Sequence, residues 1–346
     1  MDFLSDNAAG VHPAILAAVA EAAGPQPRGY DGDIWSERLD AAFSALFETQ
    51  VKAFAVPSGT AANALGLAAC VPPYGGVWCH AEAHVDVDEA GAVGFYTGGA
   101  SLMLVPSHGG KLTVAALETA AARRRGDVHQ VQAAALSLTQ ATECGTVYTP
   151  DEVAALSGWA KARGLAVQMD GARFANAVAH LGCSPADVTW RAGVDILSFG
   201  ATKNGCMAAE AIVVFDEALA DTIALRRKRA GHLFSKMRYL AAQLEAYLAD
   251  DLWLGMARHA NALALHLSQA LAAVPGAKLA HKVEANEIFV ELPEASIAAL
   301  EQAGFAVYRW NGPGTRLLRL VVSWSSRAED ADRLAATALA AAPRIG

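Results

Sequence analysis

One lysine stands among small residues in Ser198-Phe199-Gly200-Ala201-Thr202-Lys203-Asn204-Gly205, directly after the mostly apolar run Val194-Asp195-Ile196-Leu197. Burial beside a strand end strips water from an ammonium and favours the neutral amine. A neutral lysine amine attacks carbonyl carbon, so this is a candidate Schiff-base lysine. The glycines and the alanine leave room for a flat ring against the backbone. Taken alone, the segment is better explained as a surface lysine in a strand-to-helix turn; three further segments shift that balance.

The first is Met169-Asp170-Gly171-Ala172-Arg173, which follows the β-like run Leu165–Met169. Open parallel sheets place their ligands at the carboxyl ends of strands, and one helical segment and one strand separate Asp170 from Lys203. Both residues can therefore sit at one sheet edge. A carboxylate and a lysine there match what pyridoxal phosphate requires: the lysine holds the aldehyde as an imine, and the carboxylate keeps the pyridine nitrogen protonated. Asp170 is equally suited to capping the helix that follows it. The second segment, Val56-Pro57-Ser58-Gly59-Thr60-Ala61-Ala62-Asn63, leaves a strand and opens a helix. Free N–H groups at a helix N-terminus with two hydroxyls make an anion site, to which Thr202 could add a third hydroxyl. The spacing is neither GxxxxGK[ST] nor GxGxxG, which excludes the nucleotide loops. The third is Ala83-His84-Val85-Asp86-Val87-Asp88-Glu89-Ala90-Gly91, where His84 could stack on a flat cofactor and exchange protons.

The elements that must position these residues are legible as alternation. Val51–Val56, Val77–Cys79, Leu102–Val105, Ala133–Leu138, Leu165–Met169, Ile196–Phe199 and Ala211–Phe215 read as strands. Ala61–Ala69, Val114–Ala122, Pro150–Arg163 and Phe174–His180 read as helices between them. Apolar strands alternating with helices predict an α/β domain with a mostly parallel seven-stranded sheet covered on both faces. From Ala218 to about Leu271 the pattern is helical. Strands at Ala277–Lys282, Ile288–Leu292, Phe305–Tyr308 and Leu317–Val322, with helices at Ser296–Ala303 and Asp330–Ala341, then predict a smaller α+β layer. The expected division is 1–250 for the N-terminal segment and large domain, and 251–346 for the small one.

Composition narrows the class. The chain of 346 residues is 53% hydrophobic and 18% charged, with a formal charge of −8, and its isoelectric point is near 5.7. That excludes a disordered protein and argues against a nucleic-acid surface. No apolar stretch approaches the ~18 residues of a membrane span. The N-terminus has no positively charged leader region. Five scattered cysteines, with no CxxC pair, fit reduced thiols in a cytoplasm. Ten histidines show no zinc spacing, so no metal is assigned.

Four motifs in one order, with the right strands between them, carry a resemblance. Ser58-Gly59-Thr60-Ala61-Ala62-Asn63, His84 with Glu89-Ala90-Gly91, Asp170-Gly171-Ala172-Arg173 and Thr202-Lys203-Asn204-Gly205 together resemble the low-specificity L-threonine aldolases. These are pyridoxal-phosphate enzymes of the aspartate-aminotransferase fold type I. The similarity runs from Ser5-Asp6-Asn7 to Arg319-Leu320-Val321-Val322-Ser323-Trp324. It implies retro-aldol cleavage of L-threonine, L-allo-threonine and related β-hydroxy-α-amino acids, L-phenylserine among the open possibilities, to glycine and an aldehyde. The alternative is another fold type I enzyme, an aminotransferase or a β-eliminating lyase.

By that resemblance Lys203 carries the cofactor imine, Asp170 pairs with the pyridinium nitrogen and Arg173 lies near the phenolic oxygen. His84 stacks on the ring, while Ser58, Gly59, Thr60 and Thr202 hold the phosphate. Ser5 and Arg319 take the substrate carboxylate, a guanidinium fork being suited to one. Arg316 competes for that role, although residues three apart on a strand face opposite ways. The basic run Arg226-Arg227-Lys228-Arg229 offers Lys228 for reaching a phosphate across a subunit boundary, near which Tyr30-Asp31-Gly32-Asp33 also falls. A homodimer or homotetramer, with sites near the interface, is implied. One departure stands out. Where many members carry Asn-Thr-His-Asn-Gly, this chain has Ala141-Thr142-Glu143-Cys144-Gly145. That leaves His84, Glu143 or a bound water as the general base.

Overall fold

The computed structural model describes residues 3–26 and 28–343. All seven expected strands form: β1 (Lys52–Val56), β2 (Gly75–His80), β3 (Ser101–Val105), β4 (Gln132–Thr139), β5 (Ala166–Gly171), β6 (Ile196–Gly200) and β7 (Glu210–Val214). They lie side by side in the order β1-β7-β6-β5-β4-β2-β3. β2 through β6 are parallel to their neighbours, whereas β7 runs antiparallel to both β6 and β1. Residues 201–209 are too few for a parallel crossover, which needs roughly a dozen or more. β2, β6 and β7 are buried along their whole length, as a sheet covered on both faces demands.

Aromatic packing under β6 fixes the strand that delivers Lys203. Phe199 meets Phe43 edge-on at 5.1 Å and also contacts Phe47, Phe174, Tyr247 and Trp253. Two of these, Phe43 and Phe47, come from the helix Leu39–Phe47. This helix and the helix Pro13–Glu21, capped by His12 Nδ1 with proline at its first position, precede residue 51, where the sequence reading placed no element.

The helices Ala220–Arg229, Arg238–Leu248 and Leu252–Ala272 fill the stretch read as helical. The last joins two cores: Trp253, Met256 and Ala257 pack beneath the seven-stranded sheet, while Leu263, Ala264, Leu267 and Leu271 pack in a second cluster. That cluster lies under an antiparallel sheet of β8 (Lys278–Leu279), β9 (Glu287–Glu291), β10 (Tyr308–Arg309) and β11 (Leu317–Val321), in the order β10-β11-β9-β8. The helices Glu294–Gln302 and Ala328–Ala340 complete the layer.

Two of its strands, β8 and β10, form over only two residues each, fewer than the sequence predicted. Phe305 is not in a strand because its N–H closes back on Leu300 O, finishing the preceding helix. Ala306 O instead accepts from Phe3 N–H at 3.3 Å, and Phe3 O accepts from Val321 N–H at 2.9 Å. The segment around Phe3 therefore straps onto the second layer, with the Phe3 ring inside its core.

Candidate active site

The turn after β6 holds Lys203 by fixing its neighbour. Asn204 Nδ2 donates to Tyr247 Oη at 2.7 Å and to Trp253 O at 2.8 Å, so the aromatic hub under the sheet also anchors the lysine's backbone. Lys203 lines a cleft of about 540 Å³ together with Ser5, His84, Glu143, Arg173, Glu287, Tyr308, Trp310 and Arg319.

Asp170 is the penultimate residue of β5, opposite Ser198 of β6 and Thr139 of β4. It is 2% exposed. Its Oδ1 accepts from Ala172 N–H at 3.0 Å and its Oδ2 from Asn63 Nδ2 at 2.7 Å. The same Asn63 amide donates to Glu89 Oε1 at 2.9 Å, and Glu89 Oε1 meets His84 Nδ1 at 2.8 Å. Gln168 Nε2 donates to Asn63 Oδ1 and to Ser198 Oγ, and Ser137 Oγ donates to Gln168 Oε1. Five buried side chains thus orient the acid and, through Glu89, the imidazole. Acceptance of the ring N–H by Glu89 raises the histidine's pKa above its ordinary value, overcoming burial. His84, Glu89 and Asp170 offer ligand atoms within 4.8 Å of one another, but the Asn63 amide and the imidazole already account for that closeness.

Glu143 stands at the mouth of this network. Its Oε1 accepts from His84 N–H at 2.7 Å, and its Oε2 is shielded from solvent with no hydrogen-bond partner among the described residues. Burial pushes its carboxyl up to about 7, with a further push from the Asp170 charge.

The opposite wall belongs to Arg173. Its Nε and Nη2 donate to Asp6 Oδ2 and Oδ1 at 2.8 and 3.0 Å, and Nη1 lies 3.2 Å from Glu287 Oε2. Asn286 Nδ2 also donates to Asp6. Burial alone would raise the Asp6 carboxyl, yet Arg173 and Lys203 outweigh it and hold it low. Arg319 Nη2 donates to Leu4 O at 3.1 Å, its guanidinium lies 5.5 and 5.4 Å from the rings of Tyr308 and Trp310, and its Nε is buried without a partner. Arg316 is exposed and does not line the cleft, so β11 turns Arg319 inward.

The other residues singled out from sequence take these places. Ser5 lines the cleft while its hydroxyl accepts from Asn7 N–H. Ser58 caps the helix Gly59–Cys70 by accepting from Ala61 N–H, which leaves the first N–H groups of that helix without intrahelical acceptors. A Cβ at Gly59 would meet nothing within 4 Å, so that helix end faces open space beside Thr60. Thr202 Oγ1 is engaged with Ala209, accepting from its N–H at 3.2 Å. Lys228 lies outside the cleft of this chain, its amine 4.3 Å from the ring of Tyr30. Asp6, Asn63 and Glu89 fall within the sequence motifs but carry no role there, and Glu287, Tyr308 and Trp310 lie outside every motif. The only sequence signal for Glu287 is a charge heading the apolar run Ile288-Phe289-Val290.

The donor set fits pyridoxal phosphate: an amine for the aldehyde, an oriented buried carboxylate, an imidazole and an open helix N-terminus. Fold and site together define a fold type I enzyme of the pyridoxal-phosphate class. An aspartate aminotransferase of Rhodobacter sphaeroides, 17% identical with a TM-score of 0.71, shares that fold. The beta-eliminating lyase family model matches residues 2–295. A low specificity L-threonine aldolase of Pseudomonas aeruginosa is 46% identical over 96% of this chain and 95% of its own. The chain belongs to this family, in its threonine aldolase branch. Another low specificity L-threonine aldolase, from a Pseudomonas species, is 43% identical over 96% of each chain. A threonine aldolase structure from Leishmania major matches with a TM-score of 0.91 at 29% identity, covering 97% of this chain and 98% of its own. Among the described residues, no helix is long and apolar enough to cross a membrane.

Proposed function

We propose that this protein is a pyridoxal-phosphate-dependent aldehyde-lyase that cleaves L-threonine, L-allo-threonine and related L-β-hydroxy-α-amino acids to glycine and an aldehyde. The observation that carries this reading is a single cleft in which Lys203, His84, Glu143 and Arg319 converge, in a chain 46% identical to a low specificity L-threonine aldolase.

Bound there, the cofactor supplies an aldehyde for amine exchange and a protonated ring that accepts the electron pair of a breaking Cα–Cβ bond. Lys203 would hold its aldehyde carbon and later release product. Asp170, its oxygens fixed by Asn63 and Ala172, would take the ring N–H. His84 would cover one ring face, Arg173 would stand near the phenolic oxygen, and Ser58, Gly59, Thr60 and Thr202 would hold the phosphate. Lys228 would reach a phosphate only in a partner copy. Ser5 and Arg319 would grip the substrate carboxylate and so set which bond at Cα stands perpendicular to the ring.

Glu143 takes the β-hydroxyl proton in this reading. The hydrogen bond to Glu89 raises the His84 pKa, which lowers the share of neutral imidazole available to accept a proton. A carboxyl with a pKa of about 7 and a free oxygen can accept one near neutral pH. A homodimer or homotetramer with sites near the interface, a cytoplasmic location and a division of the chain at 250/251 belong to the same proposal.

The deciding experiment is product analysis on both threonine diastereomers. Glycine with acetaldehyde from each supports the reading. Keto acid or ammonia would move the protein to the aminotransferases or β-eliminating lyases.

A further inference from the structure

Glu287 is a buried carboxyl in the cleft with both oxygens unmet by hydrogen bonds. It opens β9, is 1% exposed and lines the cleft beside Lys203 and Arg319. Among the described residues, neither Oε1 nor Oε2 has a hydrogen-bond partner. Arg173 Nη1 is within ion-pair distance at 3.2 Å but makes no hydrogen bond to it, because the guanidinium is aligned on Asp6 through Nε and Nη2.

The carboxyl has little freedom to withdraw. Glu287 pairs with Val321 across the sheet. On its other side the turn at Gly145 (φ +71°) comes so close that a Cβ there would lie 3.0 Å from Glu287 O and 3.1 Å from its Cβ.

Charged and titratable groups face it from every side. They are Asp6 on the N-terminal strap, Arg173 ahead of the helix Phe174–Leu181, Lys203 after β6, Arg319 on β11 and Cys144 in the turn. Burial is the largest influence and raises the carboxyl's pKa despite the attraction of Arg173. Buried carboxyls with unmet oxygens hold their proton more tightly than exposed ones.

We propose that Glu287 sets the affinity for the substrate carboxylate through its own proton. With the proton on, it donates a hydrogen bond to the incoming carboxylate beside Arg173 and Arg319. With the proton off, it competes with that carboxylate for Arg173 and repels it. This rests on an amino acid occupying the cleft. Ionisation of Glu287 increases as pH rises, so amino-acid affinity falls as pH rises through its titration.

The test uses the holoenzyme and two small amines, glycine and methylamine, which differ by the carboxylate. Binding is followed by the change in the cofactor's visible absorbance at about pH 5, close to the ordinary glutamate value, and about pH 9, in wild type, Glu287→Gln and Glu287→Leu. Across that interval wild type should lose about five- to tenfold more glycine affinity than Glu287→Gln, with no such difference for methylamine. Glu287→Leu should lack the pH-dependent loss and bind glycine more weakly than Glu287→Gln at low pH, since it has no donor. Either variant suffices if the other does not fold. Equal pH losses in wild type and both variants overturn the role of Glu287, as does a methylamine response that parallels that of glycine. Failure of wild type to bind glycine at either pH overturns the amino-acid reading itself.

Discussion

Two walls of one cleft are built on opposite plans. The wall that would face the cofactor ring comes from β4, β5, β6 and the helix Gly59–Cys70, and its amides and hydroxyls are matched: Ser137, Gln168, Ser198, Asn63 and Asp170 form one connected network, beside which only single carboxylate oxygens of Glu89 and Glu143 are left unmet. The wall that would face the substrate is assembled from distant segments and keeps unmet atoms at Glu287, Arg319 Nε and Asn286 Oδ1. A satisfied network is rigid and orients what binds it. An unsatisfied one stores hydrogen-bonding capacity that only a ligand can use, because leaving it unmet has a cost. A resident group suits the first arrangement, and a transient one suits the second.

The largest break comes from the residue both walls serve. Lys203→Ala should lower glycine release by more than about 10³-fold and abolish the visible absorbance of bound cofactor. Retained cleavage would sink the assignment.

The contrast between the walls is sharpened by stability. Arg173→Ala leaves Asp6 and Glu287 as uncompensated buried carboxyls and should cost about 3–5 kcal/mol in urea unfolding. Asn63→Ala removes one amide from a neutral-to-charged network and should cost about 1–3 kcal/mol. The Asp6 carboxyl is held low in the folded protein. Its pairing therefore contributes stability above the unfolded carboxylate range and loses it as pH falls. Accordingly, the penalty of Arg173→Ala should shrink in acid.

Activity separates Glu143 from the rest. As a base it works ionised, so turnover in wild type should climb as pH rises through about 7. Glu143→Gln should lose about 10²-fold in turnover and that ascending limb together. A limb that persists unchanged in this variant would return the proton to His84 or to water. The smallest effects come from the carboxylate grip. Arg319→Ala should raise the KM for threonine by about 10- to 100-fold, whereas exposed Arg316→Ala should leave it within about twofold; a reversed result would reassign the grip.

The cofactor wall was legible because it is local. Ser58, Asn63, His84, Asp170 and Lys203 each sit within a few residues of a strand end, where short motifs and apolar runs give both type and place. Even β7, whose direction reverses, was found from its apolar run alone. The substrate wall was not legible to the same degree. Arg319 and Ser5 entered through family resemblance, and Glu287 through nothing, since one glutamate heading a strand looks like any solvated strand end. Its meaning depends on Asp6, Arg173 and Gly145, which no periodicity connects. The short β10 failed as a prediction for a related reason: Phe3, some 300 residues away in sequence, competes for the backbone at Ala306.

That strap has a consequence for how the molecule comes into being. Asp6 is bound to Arg173 across 167 residues and to Asn286 across 280, and Leu4 O meets Arg319 across 315. A ribosome releases Leu4 and Asp6 some 280 to 315 residues before Asn286 and Arg319. The lysine, the acid and the phosphate loop can be in place well before that. A chain not yet made past Arg319 can thus carry the chemical half of the site but not the half that grips a substrate.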